Sequence, residues 1–370
     1  MVLKKDCRNF SGDKPCNYHK ENGIKCDGCT FYSPIGFKIL IIKLDAVGDV
    51  LRTTSILPAL KEKYPESHIT WCTKINSKEL FSGNPLVNEL IYFEEDAYFR
   101  INTEEFDIVA NLDTSKVSSS IAATAKGKQK FGFILSPKGF VQPANESANS
   151  WLEMSAFDDV KKENKKSYQE IIYDILGLES KIFPPIINIP DDIRSNIQKS
   201  FSKRISKKNK TVGLNVGVGK KWPGKGWPIS EWKGLIRLLN KKDLNLLLLG
   251  GPDEREIINK IKKDFKSVID TGTENSLLEF SAVVDLCDVI VTADSLALHI
   301  GTALHKKIIA LFGPTSANEI YLYERGEKIV SPKECKCYYK RFCTEEESCM
   351  EKISPKKVVS SIEAILKLKN

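Results

Sequence analysis

Residues 38–60 read Lys-Ile-Leu-Ile-Ile-Lys-Leu-Asp-Ala-Val-Gly-Asp-Val-Leu-Arg-Thr-Thr-Ser-Ile-Leu-Pro-Ala-Leu, and this stretch decides the fold. The apolar run at 39–42 is typical of a strand buried on both faces, and a helix is predicted directly after a turn at Gly48. In parallel α/β sheets, ligands bind at the carboxyl ends of the strands. Asp49 is expected at such an end, where it either caps the helix or accepts a proton as a general base.

Strands alternate with helices along the chain in two similar halves. We predict strands at 38–44, 68–73, 89–93, 106–112 and 129–133, and again at 211–216, 244–249, 267–270, 287–292 and 307–312. We predict helices at 49–63, 116–125, 230–241, 253–263, 276–285 and 295–304. This alternation predicts an α/β fold in which two Rossmann-like domains with parallel sheets face a central cleft.

Changes in composition indicate the domain boundaries. Prolines at 184, 185 and 190 interrupt the pattern, and the basic run 199–210 follows them. A stretch rich in proline and small polar residues, 137–150, is predicted to be a surface loop, either for acceptor binding or without a binding role. The predicted units are a Cys-rich extension (1–35), an N-terminal domain (36–190), a basic linker or helix (191–210), a C-terminal domain (211–350) with a Cys-rich segment (333–350), and a C-terminal helix (351–370).

The composition of the 370 residues, 41% hydrophobic and 28% charged, is that of an ordinary globular protein. No apolar run approaches the ~20 residues that span a bilayer, and no secretory signal is visible, so a cytoplasmic location is expected. The net charge of +8 favours anionic partners and would suit peripheral contact with an anionic inner membrane. Bases and aromatic residues do not alternate as in a single-strand groove, so nucleic acid is not expected as a partner.

A glycine- and lysine-rich loop, residues 217–228, follows the first strand of the second half. Gly217 and Gly219 would let the backbone approach a ligand closely, and Lys221 and Lys225 bring positive charge to the same loop. The loop is not the dinucleotide fingerprint, because the third glycine and the downstream acid are missing.

A second strand–turn–helix unit in this half carries Asp294, Ser295 and His299. The first two fall at the turn, and the helix N-terminus beyond them favours an anion. His299 lies one helical turn further on and can share a face with them. It is either a structural hydrogen bonder or part of the site.

Five segments together resemble glycosyltransferase family 9, the heptosyltransferases of lipopolysaccharide-core assembly. They are Asp45-Ala-Val-Gly-Asp49, residues 221–228, Asp294-Ser295-x-x-x-His299, Leu311-Phe-Gly-Pro-Thr315 and the C-terminal Cys-rich segment. The resemblance extends from about Lys38 to the C-terminal helix. It implies a GT-B architecture and inverting transfer of a sugar from a nucleotide-diphosphate donor, typically ADP-heptose, without a catalytic metal or other cofactor.

The resemblance also implies roles for single residues. Asp49 matches the family's base, Lys225 its phosphate-contacting lysine, and Asp294 with His299 its donor-side pair. The N-terminal domain would bind the acceptor, which is a lipid A–inner-core intermediate, another surface glycan or glycolipid, or a protein hydroxyl. The chain departs from the family at Leu296, where relatives commonly have glycine. A Cβ there limits how closely the backbone approaches phosphate, so the donor sits differently or is another nucleotide sugar.

Eight of the ten cysteines fall in two groups. The first group, with one histidine, reads as a structural metal site, most plausibly zinc, in which four of five candidate ligands take part; buried free thiols are the alternative. These candidates are Cys7, Cys16, His19, Cys26 and Cys29. The second group fits no zinc spacing well, so a metal and a redox-dependent disulfide are both open; its members are Cys335, Cys337, Cys343 and Cys349. Some relatives carry a four-cysteine iron site near the C-terminus, so iron is included for this group.

Three other functions remain open at this stage. One is a family 9 enzyme with a protein acceptor, and another is a sugar-nucleotide 2-epimerase, since such epimerases share the GT-B scaffold. A sugar-nucleotide-binding metal protein without catalytic activity is the third. An epimerase would consume donor with no acceptor present, and a binding protein would never consume it.

Overall fold

The computed structural model describes residues 2–368, with residues 95 and 96 described by their backbone alone. Two six-stranded sheets form its framework. The first contains β1 Lys38–Ile42, β2 His68–Thr73, β3 Glu89–Tyr92, β4 Glu105–Asn111, β5 Lys126–Leu135 and β6 Val141–Pro143. The second contains β7 Lys210–Asn215, β8 Leu244–Leu249, β9 Ile269–Asp270, β10 Val289–Ala293, β11 Lys307–Phe312 and β12 Gly326–Val330.

Both sheets have the same strand order. The first runs β3-β2-β1-β4-β5-β6 and the second β9-β8-β7-β10-β11-β12, with every pair parallel except β5 and β6. In each sheet the first strand in the chain, β1 or β7, lies at the point where the order reverses. Ligands of such sheets bind at that point, beyond the carboxyl ends of the strands. The predicted α/β class with two Rossmann-like sheets is confirmed.

Fourteen α-helices occur among the described residues. They are α1 Asn17–Asn22, α2 Val47–Thr53, α3 Ile56–Lys63, α4 Glu95–Thr103, α5 Lys116–Thr124, α6 Asn149–Ala156, α7 Asp158–Glu163, α8 Tyr168–Leu176, α9 Asp191–Phe201, α10 Ile229–Leu239, α11 Arg255–Asp264, α12 Leu277–Asp285, α13 Leu296–Ala303 and α14 Pro355–Leu366. We call the elements from β1 to α8 the N-half and those from β7 to α14 the C-half. No helix in the described part is long and apolar enough to cross a membrane.

Two predicted elements differ from the structure. The helix predicted at 49–63 is two helices, α2 and α3, because Pro58 lacks the N–H that would bond the carbonyl of residue 54 in a continuous helix. The loop predicted at 137–150 contains a short strand, β6, which pairs antiparallel with β5. Only the edge of the sheet accepts Pro143, because proline has no N–H to donate to a further strand.

The two halves pack on each other through helices as well as through one shared hydrophobic core. Val50 and Ile56 from the N-half belong to the same buried cluster as Val283 and Ile300 from the C-half. Helix α13 packs against α2, and α12 packs against the 3-10 helix Ile75–Phe81 of the N-half. The N-termini of α2 and α13 therefore meet across the cleft, directly beyond β1 and β10.

The Cys-rich extension is fastened to the N-half by Arg8. Its guanidinium donates to the carbonyls of Glu66 (2.5 Å) and Ser67 (3.4 Å), which lie just before β2. Cys7 forms an isolated bridge with Pro34. That bridge lies within the extension itself, and Arg8 attaches the segment to the main body.

Candidate active site

The turn after β1 places Asp49 in the first turn of α2. Ala46, the residue before α2, has an extended backbone, and its N–H donates to Asp49 Oδ2 over 3.3 Å. This is one of the helix-initial N–H groups that have no partner inside the helix. Asp49 therefore stabilises the helix start with one oxygen and keeps the other for a different partner.

Arg52, one turn further along α2, binds the second oxygen. Its Nη2 lies 2.8 Å from Asp49 Oδ1, and its guanidinium carbon lies 3.7 Å from the centre of the Tyr168 ring. Burial by itself would raise the pKa of Asp49, but the charges of Arg52 and Lys43 outweigh it and hold that pKa well below its ordinary range. The carboxylate is therefore ionised at neutral pH, and 35% of the side chain stays exposed to the cleft.

The C-half supplies an ion pair on the opposite side. Lys225 lies in a single 3-10 turn, Pro223–Lys225, and its Nζ is 2.8 Å from Asp294 Oδ2, directly after β10. Both side chains are less than one-fifth exposed. Burial would raise the pKa of Asp294, but Lys225 and the nearby imidazole of His299 lower it below the ordinary value. The pair is therefore charged on both sides.

His299 lies between these two sets of charges. The residue is 8% exposed on α13, and a Cβ built on Gly48 of α2 would stand 2.8 Å from its Cδ2 atom. Burial and the charge of Arg52 lower the pKa of His299 to about 4, even though Asp49 and Asp294 act in the opposite direction. The imidazole is therefore neutral at physiological pH and can both donate and accept a hydrogen bond.

Hydroxyl and amide groups organise the turn before α13. The side-chain amide of Asn215, at the end of β7, lies 3.0 Å from Thr292 Oγ1 and 3.1 Å from Ser295 Oγ. It also donates to the carbonyl of Gly217 over 2.9 Å. Asn215 thus fixes the glycine loop and the start of α13 relative to each other.

Glu254 fixes the backbone of the glycine loop through hydrogen bonds. Its two carboxylate oxygens accept the N–H groups of Gly219 (3.1 Å) and Gly251 (2.9 Å). A Cβ on Gly217 would stand 2.3 Å from the carboxyl carbon of Glu254, so only glycine fits there. The sequence contains a signal for Glu254, since Gly-Gly-Pro-Asp-Glu follows the predicted strand 244–249 directly.

A cavity of about 390 Å³ opens between the halves at this point. Its walls combine the polar groups just described with apolar side chains, and Val47 and Asn76 contribute from the N-half. The volume lies within the range of small-molecule sites. The C-half residues that line it include Asn215, Gly217, Gly219, Gly251, Glu254, Leu277, Phe280, Ser295 and Leu296.

A family model described as "Glycosyltransferase family 9 (heptosyltransferase)" matches residues 99–351. The chain belongs to glycosyltransferase family 9. One relative, "Lipooligosaccharide heptosyltransferase 2" of Haemophilus influenzae, is 26% identical over 310 residues, which are 75% of this chain and 84% of that protein. This family 9 member is a glycosyltransferase, as the sequence predicted.

Two solved structures show the same fold. A glycosyl transferase family 9 protein from Veillonella parvula has a TM-score of 0.74 at 19% identity and covers 90% of this chain and 98% of its own. "E. coli ADP-heptose lps heptosyltransferase II" has a TM-score of 0.66 at 22% identity and covers 90% and 99%. The GT-B architecture of this glycosyltransferase is therefore confirmed.

The structure brings most of the predicted site residues of this glycosyltransferase together. Asp49, Lys225, Asp294 and His299 meet at the cleft, and Gly217, Gly219 and Ser295 line the adjoining cavity. Lys221 differs, because its side chain is exposed to solvent and lies outside the lining of that cavity. The catalytic and binding roles of all these residues stay predictions.

The five candidate ligands in the N-terminal extension of this glycosyltransferase, Cys7, Cys16, His19, Cys26 and Cys29, line one cavity of about 280 Å³. Within residues 2–368, however, no group of three or more His, Cys, Asp or Glu side chains is arranged to hold a metal ion. The imidazole of His19 is 3.0 Å from the carbonyl of Ile24, its partner in the same segment. A metal at this place stays a prediction.

All ten cysteines are free thiols in this structure. In the C-terminal group, Cys335, Cys337 and Cys349 are buried, and Cys337 Sγ accepts the N–H of Thr344 over 3.2 Å. Hydrogen bonds from Thr344 lower the pKa of Cys337 to about 7. A thiol of that kind binds metal or forms a disulfide readily, so both predicted alternatives remain open.

Proposed function

We propose that this enzyme transfers a heptose residue from ADP-heptose to a hydroxyl of a lipopolysaccharide-core acceptor, with inversion at the anomeric carbon. In this proposal residues 36–190 bind the acceptor and residues 211–350 bind the donor. The observation that supports this proposal is the position of the His299 imidazole between charged groups of the two halves. Asp49 faces it from the N-half, and the Lys225–Asp294 ion pair faces it from the C-half. Similarity to the Haemophilus influenzae heptosyltransferase supports the choice of sugar and acceptor.

Asp49 is assigned as the general base. The acceptor hydroxyl attacks the anomeric carbon, its proton passes to a carboxylate oxygen of Asp49, and the bond to the diphosphate breaks. Because Arg52 and Lys43 hold the carboxylate ionised, it is ready to accept the proton without prior activation. The lowered pKa makes this carboxylate a weak base, so it takes the proton only as the hydroxyl oxygen bonds to the anomeric carbon and its proton becomes acidic.

Lys225 and the start of α13 are assigned to the leaving diphosphate. Negative charge builds up on the diphosphate as the sugar departs, and a fixed ammonium with helix-terminal N–H groups stabilises it. Asp294, held by Lys225, is then directed at sugar hydroxyls. The neutral His299 can donate a hydrogen bond to a phosphate or sugar oxygen from between the two sets.

The cavity beside this constellation is assigned to the nucleoside. Its apolar wall, which includes Leu277, Phe280 and Leu296, suits the face of a purine ring, and Asn215 and Glu254 present polar groups. Leu296 occupies the place where relatives commonly have glycine, and its side chain belongs to this wall. We therefore place the base of the nucleotide, rather than a phosphate, against Leu296.

The decisive experiment follows the donor and the product by NMR. The enzyme is incubated with ADP-heptose and lipopolysaccharide from a heptose-deficient strain, and the anomeric configuration of the product is read from its coupling constants. Acceptor-dependent formation of an inverted glycoside supports the proposal. Donor turnover without acceptor would identify a 2-epimerase, transfer to a protein would identify a different acceptor class, and binding without turnover would identify a sensor.

We also propose that the cysteine groups carry a structural metal ion, zinc in the N-terminal extension and zinc or iron in the segment 333–350. The support is the lining of one cavity by all five N-terminal candidates, and the placement of Cys337 as a thiol of lowered pKa in the second group. Element analysis of the purified chain tests this. The double variant C26S/C29S should lose one metal equivalent, and C335S/C349S should report on the second group independently.

A further inference from the structure

One buried charge in the N-half lacks a partner. Lys43 follows β1 directly, only 5% of the residue is exposed, and its backbone N–H donates to the carbonyl of Cys72 over 3.1 Å. Its ammonium makes no hydrogen bond or ion pair with any residue that the structure describes. Nζ is not among the fully buried side-chain atoms without a partner, so the ammonium keeps some access to solvent; a largely buried ammonium of this kind is normally paired.

The groups that face Lys43 are already engaged with other residues. They are the hydroxyl of Tyr168 and the carboxylates of Asp49 and Asp113, and the guanidinium of Arg52 faces it as well. Tyr168 Oη lies 2.6 Å from Thr53 Oγ1, and Asp113 Oδ1 accepts the N–H of Ser115 over 3.1 Å. These groups surround the ammonium without reaching it.

Lys43 nevertheless keeps its charge. Burial would lower its pKa, but the Tyr168 hydroxyl and the carboxylates of Asp49 and Asp113 outweigh burial and raise the pKa above the ordinary value. A charged ammonium without a bound partner is therefore held close to Asp49. Other lysines with low exposure differ, since Lys225 pairs with Asp294 and Lys306 pairs with Asp285.

We propose that Lys43 is a substrate-binding residue that pairs with an anionic group of the acceptor sugar, a carboxylate or a phosphate, beside the hydroxyl that Asp49 deprotonates. This rests on the proposed function. The donor's diphosphate has its own cation, Lys225, in the other half, whereas Lys43 belongs to the acceptor-binding N-half. Asp49 is paired with Arg52 and Asp113 accepts the N–H of Ser115, so neither carboxylate that faces Lys43 binds its ammonium, which stays available to an incoming anion.

The test compares three acceptors and three proteins. The acceptors are the glycan from a heptose-deficient lipopolysaccharide, the same glycan with its carboxyl groups reduced to hydroxymethyl groups, and the same glycan with its phosphates removed. The proteins are the wild type, Lys43→Met, which keeps the length and apolar volume of the stem, and the control Lys128→Met. Lys128 carries a 78% exposed side chain on β5, in the same half but away from the cleft.

We expect Lys43→Met to raise the acceptor KM roughly 10- to 100-fold on the untreated glycan, as the loss of one charge-assisted hydrogen bond would. Arg52, the larger of the two charges that keep Asp49 ionised, remains in this variant, so the kcat should fall by a smaller factor than the KM rises, and the ADP-heptose affinity should change little. Removal of the recognised anion from the glycan should raise the acceptor KM of the wild type by the same factor as the substitution does. The acceptor KM of Lys43→Met should not change when that anion is removed. The arm that responds, carboxyl reduction or dephosphorylation, identifies the anion.

Two results would overturn the inference. One is a Lys43→Met enzyme that still discriminates between charged and neutral acceptors as the wild type does. The other is a fall in kcat with unchanged KM, which would make Lys43 a positioning residue for Asp49. If the wild type transfers to none of the three acceptors, the proposed function fails and not this inference.

Stability gives an independent readout. Because Lys43→Met removes an unpartnered buried charge, the free protein should unfold at an equal or higher temperature. A marked fall in the unfolding temperature would show that Lys43 has a structural partner, and would also overturn the inference. Lys43→Arg keeps the charge and should retain part of the discrimination between acceptors if the site tolerates its size.

Discussion

Gly48 and His299 touch across the cleft: a Cβ on Gly48 would lie 2.8 Å from His299 Cδ2. Gly48 is next to Asp49 in the N-half, and His299 lies one helical turn beyond Asp294 in the C-half. Asp49 and Asp294 both belong to the proposed active site. The absence of a side chain at residue 48 therefore lets α2 and α13 approach each other closely at this point. Four predictions follow from this arrangement and from the charges around it.

Gly48→Ala should destabilise the protein by about 1–3 kcal/mol through overpacking against the imidazole. Alanine favours a helical backbone more than glycine does, so helix propensity alone would predict a gain in stability rather than a loss. Urea unfolding measures it. In the background of His299→Ala the same substitution should cost much less, and an equal cost in both backgrounds would show that the contact does not govern the effect.

Asp49→Asn should lower kcat by a factor of about 10²–10⁴, the usual contribution of a general base, and leave ADP-heptose binding nearly unchanged. Initial rates and calorimetry measure the two quantities. The matched control is Asp45→Asn, since Asp45 lies in the same motif but is paired with Lys74 at the surface. Near-full activity of Asp49→Asn with the true acceptor would show that another group takes the proton.

Lys225→Met should lower kcat by about 10²–10³-fold, because it removes the fixed charge assigned to the leaving diphosphate. It should also weaken the folded state, since Asp294 would keep a buried carboxylate without its partner. Lys221→Met is the comparison in the same loop. Its side chain is exposed, so we expect a much smaller loss, and equal losses would contradict the assignment of Lys225.

His299 should make stability depend on pH below neutrality. Its pKa is about 4 in the folded protein and 6.5 ordinarily, so between these values the unfolded chain binds a proton that the folded chain does not. The free energy of unfolding should therefore fall as the pH falls through this window, by up to about 1.4 kcal/mol per pH unit. His299→Asn should flatten this dependence in urea titrations at several pH values.

His305→Asn is the control for that titration. His305 also has a lowered pKa, mainly through burial, but it is more exposed than His299. Its variant should retain most of the slope, and its left-handed backbone (φ 58°) is a conformation that asparagine tolerates well. A slope that survives His299→Asn unchanged would mean that His299 is not the group that titrates.

The fold was largely predictable because its central strands are short apolar runs. Residues 39–42 and 246–249 are buried on both faces, and such runs are easy to recognise. Strand β12 was missed for the opposite reason: of Gly326–Val330 only Ile329 is buried, so no apolar run marks it. It pairs with β11 because it lies at the edge of the sheet, which is a property of the assembled fold.

The candidate site was predictable only as far as its motifs are local in sequence. Asp49, Lys225, Asp294 and His299 each follow a strand within a short segment, and parallel topology brings those strand ends together. Their partners are not local. Tyr168 reaches Arg52 from 116 positions away in the chain, and the isolation of Lys43 depends on groups from three elements.

Tyr168 has one more consequence, for inhibition. The ring of Tyr168 packs against the guanidinium of Arg52, which binds Asp49. The backbone N–H of Tyr168 donates to the carbonyl of Glu319 in the C-half over 3.0 Å. A separation of the two halves would therefore displace Tyr168, which packs against the Arg52 guanidinium that binds Asp49, the proposed base. A small molecule that separated Tyr168 from the segment around Glu319 would therefore disturb Asp49 without entering the cavity proposed for the nucleoside.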